Sequence, residues 1–164
     1  MRICTKHYTG TKGVYAHFTP DYRTTHLLTG LVWYTHPPFA THSVPYTSHV
    51  TAVCSDNALR TLRIPYPKAP VFTKIARVEY WKQNGKGIAV FILDSPIFKH
   101  VHSLFLQRGA KHRYPDYVPH VTIALNLDVP DEKMHQWAHH STQYVHREKH
   151  VLAFNRLKVR DMQF

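Results

Sequence analysis

Hydrophobic and polar positions along this chain follow two alternating periods, and each change of period marks an element. Leu27, Leu28, Leu31 and Val32 recur at helical spacing behind Thr19-Pro20-Asp21. A capping threonine with proline in the first turn predicts a helix over residues 20–33. Residues 75–81 and 87–93 read as strands on either side of Gln83-Asn84-Gly85-Lys86. Asn-Gly tolerates the positive φ of a tight turn, so a β-hairpin is predicted. Ser95-Pro96 opens a second helix with Ile97, Val101, Leu104 and Phe105 as its buried face and Gly109 placed to end it. A strand over 121–127, a short helix over 130–140 and a final strand over 151–159 follow. The longest loop, 34–48, carries Pro37, Pro38 and Pro45, and no low-complexity or linker-like stretch divides the chain. The simplest architecture is a single domain over 1–164, α+β with antiparallel sheets.

At 164 residues and 43% hydrophobic content the chain can close a core of its own. The longest apolar run, Ile88-Ala89-Val90-Phe91-Ile92-Leu93, is far short of the roughly 18 residues that span a bilayer, and the first residues lack an apolar signal core. Cys4 and Cys54 are too few for a disulfide framework or a thiolate zinc site. The expected compartment is therefore a reducing cytosol, with no membrane partner. Charge changes the picture more: 21 Lys and Arg against 10 Asp and Glu give +11. Such a field favours a phosphate-rich ligand, although solubility or an acidic protein partner would use the same excess.

Within this pattern one segment is repeated. Tyr46-Thr47-Ser48-His49-Val50-Thr51-Ala52-Val53 matches Tyr117-Val118-Pro119-His120-Val121-Thr122-Ile123-Ala124 in character. Bare His-x-Thr occurs five times and carries little information in a chain with 15 histidines. His-Val-Thr is sharper, with about 0.1 copies expected by chance. Both copies begin an apolar strand and both carry Tyr three residues earlier. In a strand, residues i and i+2 share a face about 6.6 Å apart. His49 and Thr51 then project together while Val50 faces the core, and His120 with Thr122 does the same. Two such strands related by a pseudo-dyad offer one imidazole to take a proton from a nucleophile and another to protonate a leaving oxygen at phosphorus. The two hydroxyls can donate to the non-bridging oxygens. This chemistry requires no metal or other cofactor.

On these two strands the chain resembles the two-histidine phosphoesterases, whose halves each carry a His-x-Thr strand. Within that superfamily it is most similar to the phage anti-CBASS phosphodiesterases, through Gly13-Val14-Tyr15, the loop before His49, and Leu93-Asp94-Ser95-Pro96 leading to Tyr117-Val118-Pro119-His120. The resemblance implies two pseudo-symmetric lobes with antiparallel sheets around a central cleft, flanked by helices. It implies His49, Thr51, His120 and Thr122 as catalytic residues. By position it implies Tyr15, Trp81, Glu148 and Phe154 as substrate-binding residues, with Phe154 standing where a tryptophan would be expected. Arg147-Glu148-Lys149 also reads as an exposed charge cluster, and Tyr15 and Trp81 suit a core equally well.

The activity implied is metal-independent cleavage of 3′-5′ linkages in cyclic di- or trinucleotide signals in the cytosol of an infected bacterium, with no stable nucleic-acid polymer as partner. The alternatives are an RNA 2′,3′-cyclic phosphate or 2′-5′ phosphodiesterase, and a non-catalytic RNA-binding module. A competing constellation is His135 and His139, four apart on a helix, followed by His140, His146 and His150. That spacing can bind zinc, but no carboxylate or thiolate stands in a third-ligand pattern, and a solvated histidine face is the default.

Overall fold

Asn84 and Gly85 have φ of 51° and 76°, the pair of positive values that lets a two-residue turn match the twist of its strands. They join β5 (Val71–Gln83) to β6 (Lys86–Asp94) as the sequence predicts. The computed structural model describes residues 3–8, 13–39, 48–59, 62–67, 70–112 and 116–162, with 3–8 and 62–67 by backbone alone. The expected tyrosine ahead of the first motif, Tyr46, lies outside the described residues.

The remaining elements are β1 (Ile3–Tyr8), β2 (Gly13–Pro20), α1 (Tyr22–Tyr34), β3 (Val50–Ala58), β4 (Leu62–Pro67), α2 (Pro96–Gln107), β7 (His120–Leu127), α3 (Asp131–Glu148) and β8 (Val151–Asp161). Six strands close a barrel in the order β2-β3-β7-β6-β5-β8, and β1 pairs with β4 in a separate ribbon. Every pairing is antiparallel. The barrel consists of two three-stranded halves, β8-β2-β3 and β5-β6-β7. On one side they join through β5 and β8, from Val71↔Phe154 to Lys74↔Val151. On the other side β3 and β7 meet only at Val50↔Val121.

Two helix boundaries differ from the expectation. Pro20 closes β2, paired with Phe154, and the cap of α1 is Asp21, whose Oδ1 accepts from Thr24 N at 2.6 Å. The backbone of Asp21 also donates to Ala153 O at 3.0 Å, so the sheet holds the chain extended for two residues beyond Thr19. Helix α3 continues through Glu148 rather than stopping at His140, because Met134, Trp137, Ala138, Ser141 and Val145 form one buried stripe. Thr142 Oγ1 accepts from Val78 N at 2.9 Å and fixes that helix to β5. In α2, Ser95 caps Phe98 N with Pro96 in the first turn, and Gly109 follows with φ 91°. Its buried face is Phe98, Val101, His102 and Phe105, with the predicted Ile97 and Leu104 packed at the edge of the core.

The core joins α2 to the β8-β2-β3 half. The Phe98 ring lies 5.0 Å from Phe18 and 5.5 Å from Phe154, and all three side chains are fully buried. Phe154→Ala is therefore expected to lower the unfolding free energy by about 3–5 kcal/mol, measured by denaturant titration. A loss below about 1 kcal/mol would show that the ring does not hold this core.

Candidate active site

The His-Val-Thr copies begin β3 and β7, and the one register pair between those strands is the middle residue of each motif, Val50↔Val121. Both valines are buried, at 0% and 1% exposure, whereas His49, Thr51, His120 and Thr122 are half-buried. Alternation thus turns each His and Thr to the same side. Antiparallel pairing at the valines sets His49 across from Thr122 and Thr51 across from His120. A further bond reinforces the crossing: Tyr117 Oη donates to the Thr51 carbonyl at 2.9 Å. Burial pushes the Tyr117 hydroxyl well above the usual tyrosine range, so it remains a donor.

A cavity of about 480 Å³ opens over this crossing, lined by Tyr15, Thr51, Trp81, His112, His120 and Thr122 among others. The surroundings of the two histidines differ. His120 Nδ1 lies 2.7 Å from the Val118 carbonyl. A carbonyl only accepts, so Nδ1 carries a proton and the neutral ring has its lone pair on Nε2. Trp81 meets the His120 ring edge-on at 4.7 Å, and its Nε1 donates to Glu79 Oε2 at 2.6 Å. Burial holds the His120 pKa below its ordinary value; His49 adds to the depression, while the Val118 bond and Glu79 oppose it.

His49 is met by Tyr15, whose hydroxyl lies 2.7 Å from His49 Nε2 and 3.2 Å from Thr51 Oγ1. Burial raises the Tyr15 pKa, and the Arg160 guanidinium lies over its ring at 5.1 Å. His17 packs on His49 at 5.1 Å between ring centroids. Burial first, then His49, Arg160 and Lys158, lower the His17 pKa to about 4, so that ring is neutral at physiological pH. On the opposite side, burial, His102 and His120 bring His112 to about 4 as well.

Of the residues that the sequence suggests for binding, the fold brings Tyr15 and Trp81 to the cavity. Phe154 is in the core at 0% exposure, because the inward face of β8 supplies Leu152, Phe154 and Leu157. Glu148 lines a different cavity, between α1, α3 and the start of β8, since α3 runs two turns beyond its expected end. Its carboxylate pairs with Arg147 at 3.1 Å. His135 packs edge-on against Tyr80, His139 bonds Gln143 and His146 bonds the Ala76 carbonyl. Among the described residues, no group of three or more His, Cys, Asp or Glu side chains is placed to hold a metal. Nor is any helix long and apolar enough to cross a membrane.

The sequence reading missed His17 and His112. His17 had a usable signal, since it stands two residues after Tyr15 on one strand and so shares its face. His112, His102 and Glu79 had none, because tertiary packing alone brings them near the motifs. His102 supports the site from beneath: its ring stacks on Tyr117 at 4.0 Å and its Nδ1 bonds the Ala52 carbonyl at 2.7 Å.

The sequence profile of the family "Anti-CBASS protein Acb1" matches residues 12–155, which include both motifs, Tyr15 and Trp81. The anti-CBASS protein Acb1 of Vibrio phage KVP40 is 31% identical over 81 residues, covering 49% of this chain and 52% of the relative. That of Yersinia phage phiR1-RT is 32% identical over 76 residues, covering 43% and 50%. That of Enterobacteria phage T4 is 29% identical over 69 residues, covering 40% and 45%. The matched region thus spans about half the length of these curated relatives. With the profile matching most of its length, the chain belongs to the anti-CBASS protein Acb1 family.

Proposed function

We propose that this protein is a metal-independent phosphodiesterase of the two-histidine type, which cuts the 3′-5′ linkages of cyclic di- and trinucleotides such as 3′,3′-cyclic GMP-AMP and so lets a phage evade CBASS. The observation that carries the reading is the crossing of two His-Val-Thr strands at Val50↔Val121, which turns two imidazoles and two hydroxyls to one side. We read the halves β8-β2-β3 and β5-β6-β7 as the two pseudo-symmetric lobes, with the cavity over the crossing as their shared cleft. The family name points to the cyclic oligonucleotide signal as the partner, and the +11 charge suits an anionic ligand.

In this reaction one imidazole takes the proton of the ribose 2′-hydroxyl, and O2′ attacks the adjacent phosphorus. The bond from phosphorus to O5′ breaks as the second imidazole protonates O5′. The product is a 2′,3′-cyclic phosphate. Water then opens it with the imidazoles in reversed roles, leaving a terminal phosphate and restoring both protonation states. Thr51 and Thr122 donate to the non-bridging oxygens. The attacking hydroxyl already neighbours the phosphorus, and this proximity takes the place of a separately activated nucleophile. Tyr15 and Trp81, on the cavity wall, offer rings to the nucleobases.

His49→Ala and His120→Ala should each lower single-turnover cleavage by about 10²–10⁴-fold with the fold and ligand binding retained. Near-normal rates in either folded variant would sink the reading. An analogue with 2′-deoxyribose on the 3′ side of each linkage should bind without being cut, as followed by product chromatography. Cleavage of that analogue at a comparable rate would make water the direct nucleophile.

The pH profile has a defined sign. A base must be neutral to act, and burial lowers the His120 pKa. The acidic limb governed by His120 is therefore expected below the ordinary histidine value of about 6.5. Chelator should leave the rate unchanged. Activity lost with chelator and restored by zinc would assign the chemistry to a metal instead.

A further inference from the structure

Both His-Val-Thr copies are followed by the same irregularity. Between β2 and β3 the register runs from Ala16↔Val53 to His17↔Thr51, two steps on β3 for one on β2, so Ala52 is an extra residue. Between β6 and β7 it runs from Ala89↔Ala124 to Val90↔Thr122, which makes Ile123 the extra residue. Each motif threonine therefore stands directly before a β-bulge, a feature that re-aims side chains and interrupts the ladder. Burial shows the shift in phase. Ala52 and Val53 are both buried, as are Ile123 and Ala124, and the cavity is lined by Thr51 with Cys54 and by Thr122 with Leu125. In an unbroken strand, residues three apart face opposite sides. Each of these pairs shares one wall only because of its bulge.

At the first bulge, side chains from outside the strand hold the backbone. Tyr117 Oη donates to the Thr51 carbonyl at 2.9 Å. His102 Nδ1 lies 2.7 Å from the next carbonyl, that of Ala52, and because a carbonyl only accepts, that nitrogen is the donor. The buried His102 ring stacks on Tyr117 at 4.0 Å with 11° between the planes, and His112 meets both rings edge-on at 4.7 and 5.8 Å. The two donors thus form one packed unit, from α2 and the segment before β7, fixed to two successive carbonyls. A bulge disturbs the ladder that would otherwise satisfy such groups, and a buried carbonyl left without a donor is costly.

We propose that Tyr117 and His102 are positioning residues that hold the bulge at Ala52 and so aim the Thr51 hydroxyl at the phosphate in the cleft. This rests on the phosphodiesterase reading and adds to that site two residues that act through the β3 backbone. Tyr117 also lines the cavity, but its hydroxyl is turned to the Thr51 carbonyl.

The test is Tyr117→Phe in the full chain, which keeps the ring on His102 and removes the donor. Turnover should fall about tenfold while KM changes less than about threefold. If Tyr117 acts through Thr51, the same change made in Thr51→Ala should cost less than about twofold, since the hydroxyl it aims is already gone. His102→Leu should also slow turnover about tenfold, and His102→Asn, whose amide can still donate to the Ala52 carbonyl, should recover most of that loss. Amide hydrogen exchange, which does not depend on activity, should speed up about five- to tenfold over residues 51–54 in Tyr117→Phe, with the rest of the barrel unchanged. Equal cost of Tyr117→Phe with and without the Thr51 hydroxyl would overturn the proposal, as would acceleration of exchange spread evenly over the barrel. Raised KM with unchanged turnover would make Tyr117 a substrate contact instead. If His49→Ala and His120→Ala cleave normally, the phosphodiesterase reading itself has failed, and the exchange measurement still decides whether Tyr117 holds the bulge.

Discussion

Two buried valines, Val50 and Val121, pair where β3 and β7 cross, and the site depends on that register. Strand side chains alternate, so a slip of one residue would send His49, Thr51, His120 and Thr122 into the core and leave the valines facing the cavity. Such a slip would bury four polar groups and expose two apolar ones, which penalises the wrong register from both directions. The same pairing closes one side of the six-stranded barrel. Closure of the fold and alignment of the motifs are therefore a single event.

Around that crossing the two halves have diverged in chemistry while keeping the motif. The β7 side gives His120 an edge-on Trp81 and the nearby carboxylate of Glu79. The β3 side gives His49 a phenol and a second imidazole, with Arg160 above the phenol. Repeating a motif thus need not repeat its surroundings, because the side chains that pack on each copy come from different strands. Neutral His17 and His112, one on each side, add polar bulk without adding charge at physiological pH.

Local chemistry accounts for what was legible in the chain alone. The Asn84-Gly85 hairpin, the Ser95-Pro96 helix start and the outward pairing of His and Thr about a central valine each depend on residues within a few positions of one another. Such features survive whatever packs against them. The end of α3 was less legible, because polar and histidine positions over 139–143 hide a stripe that continues through Ser141 and Val145. Thr19-Pro20 was misread for a related reason: a helix-start signal yielded to pairing of Pro20 with Phe154, far along the chain.

What the sequence by itself determined is the content of each strand: which side chains share a face, where the hairpin turns, and that two copies of one His-Val-Thr pattern are present. Only the tertiary structure decided which faces meet. It placed the Phe154 ring between β8 and α2 rather than in the cleft, carried Glu148 to a separate cavity, and set the Tyr15 hydroxyl on His49 and Thr51. Side-chain period is a property of the local backbone, whereas the partner of each face is chosen by long-range pairing, and residues such as Tyr15 and His49, 34 apart in the chain, come into contact only when the barrel closes.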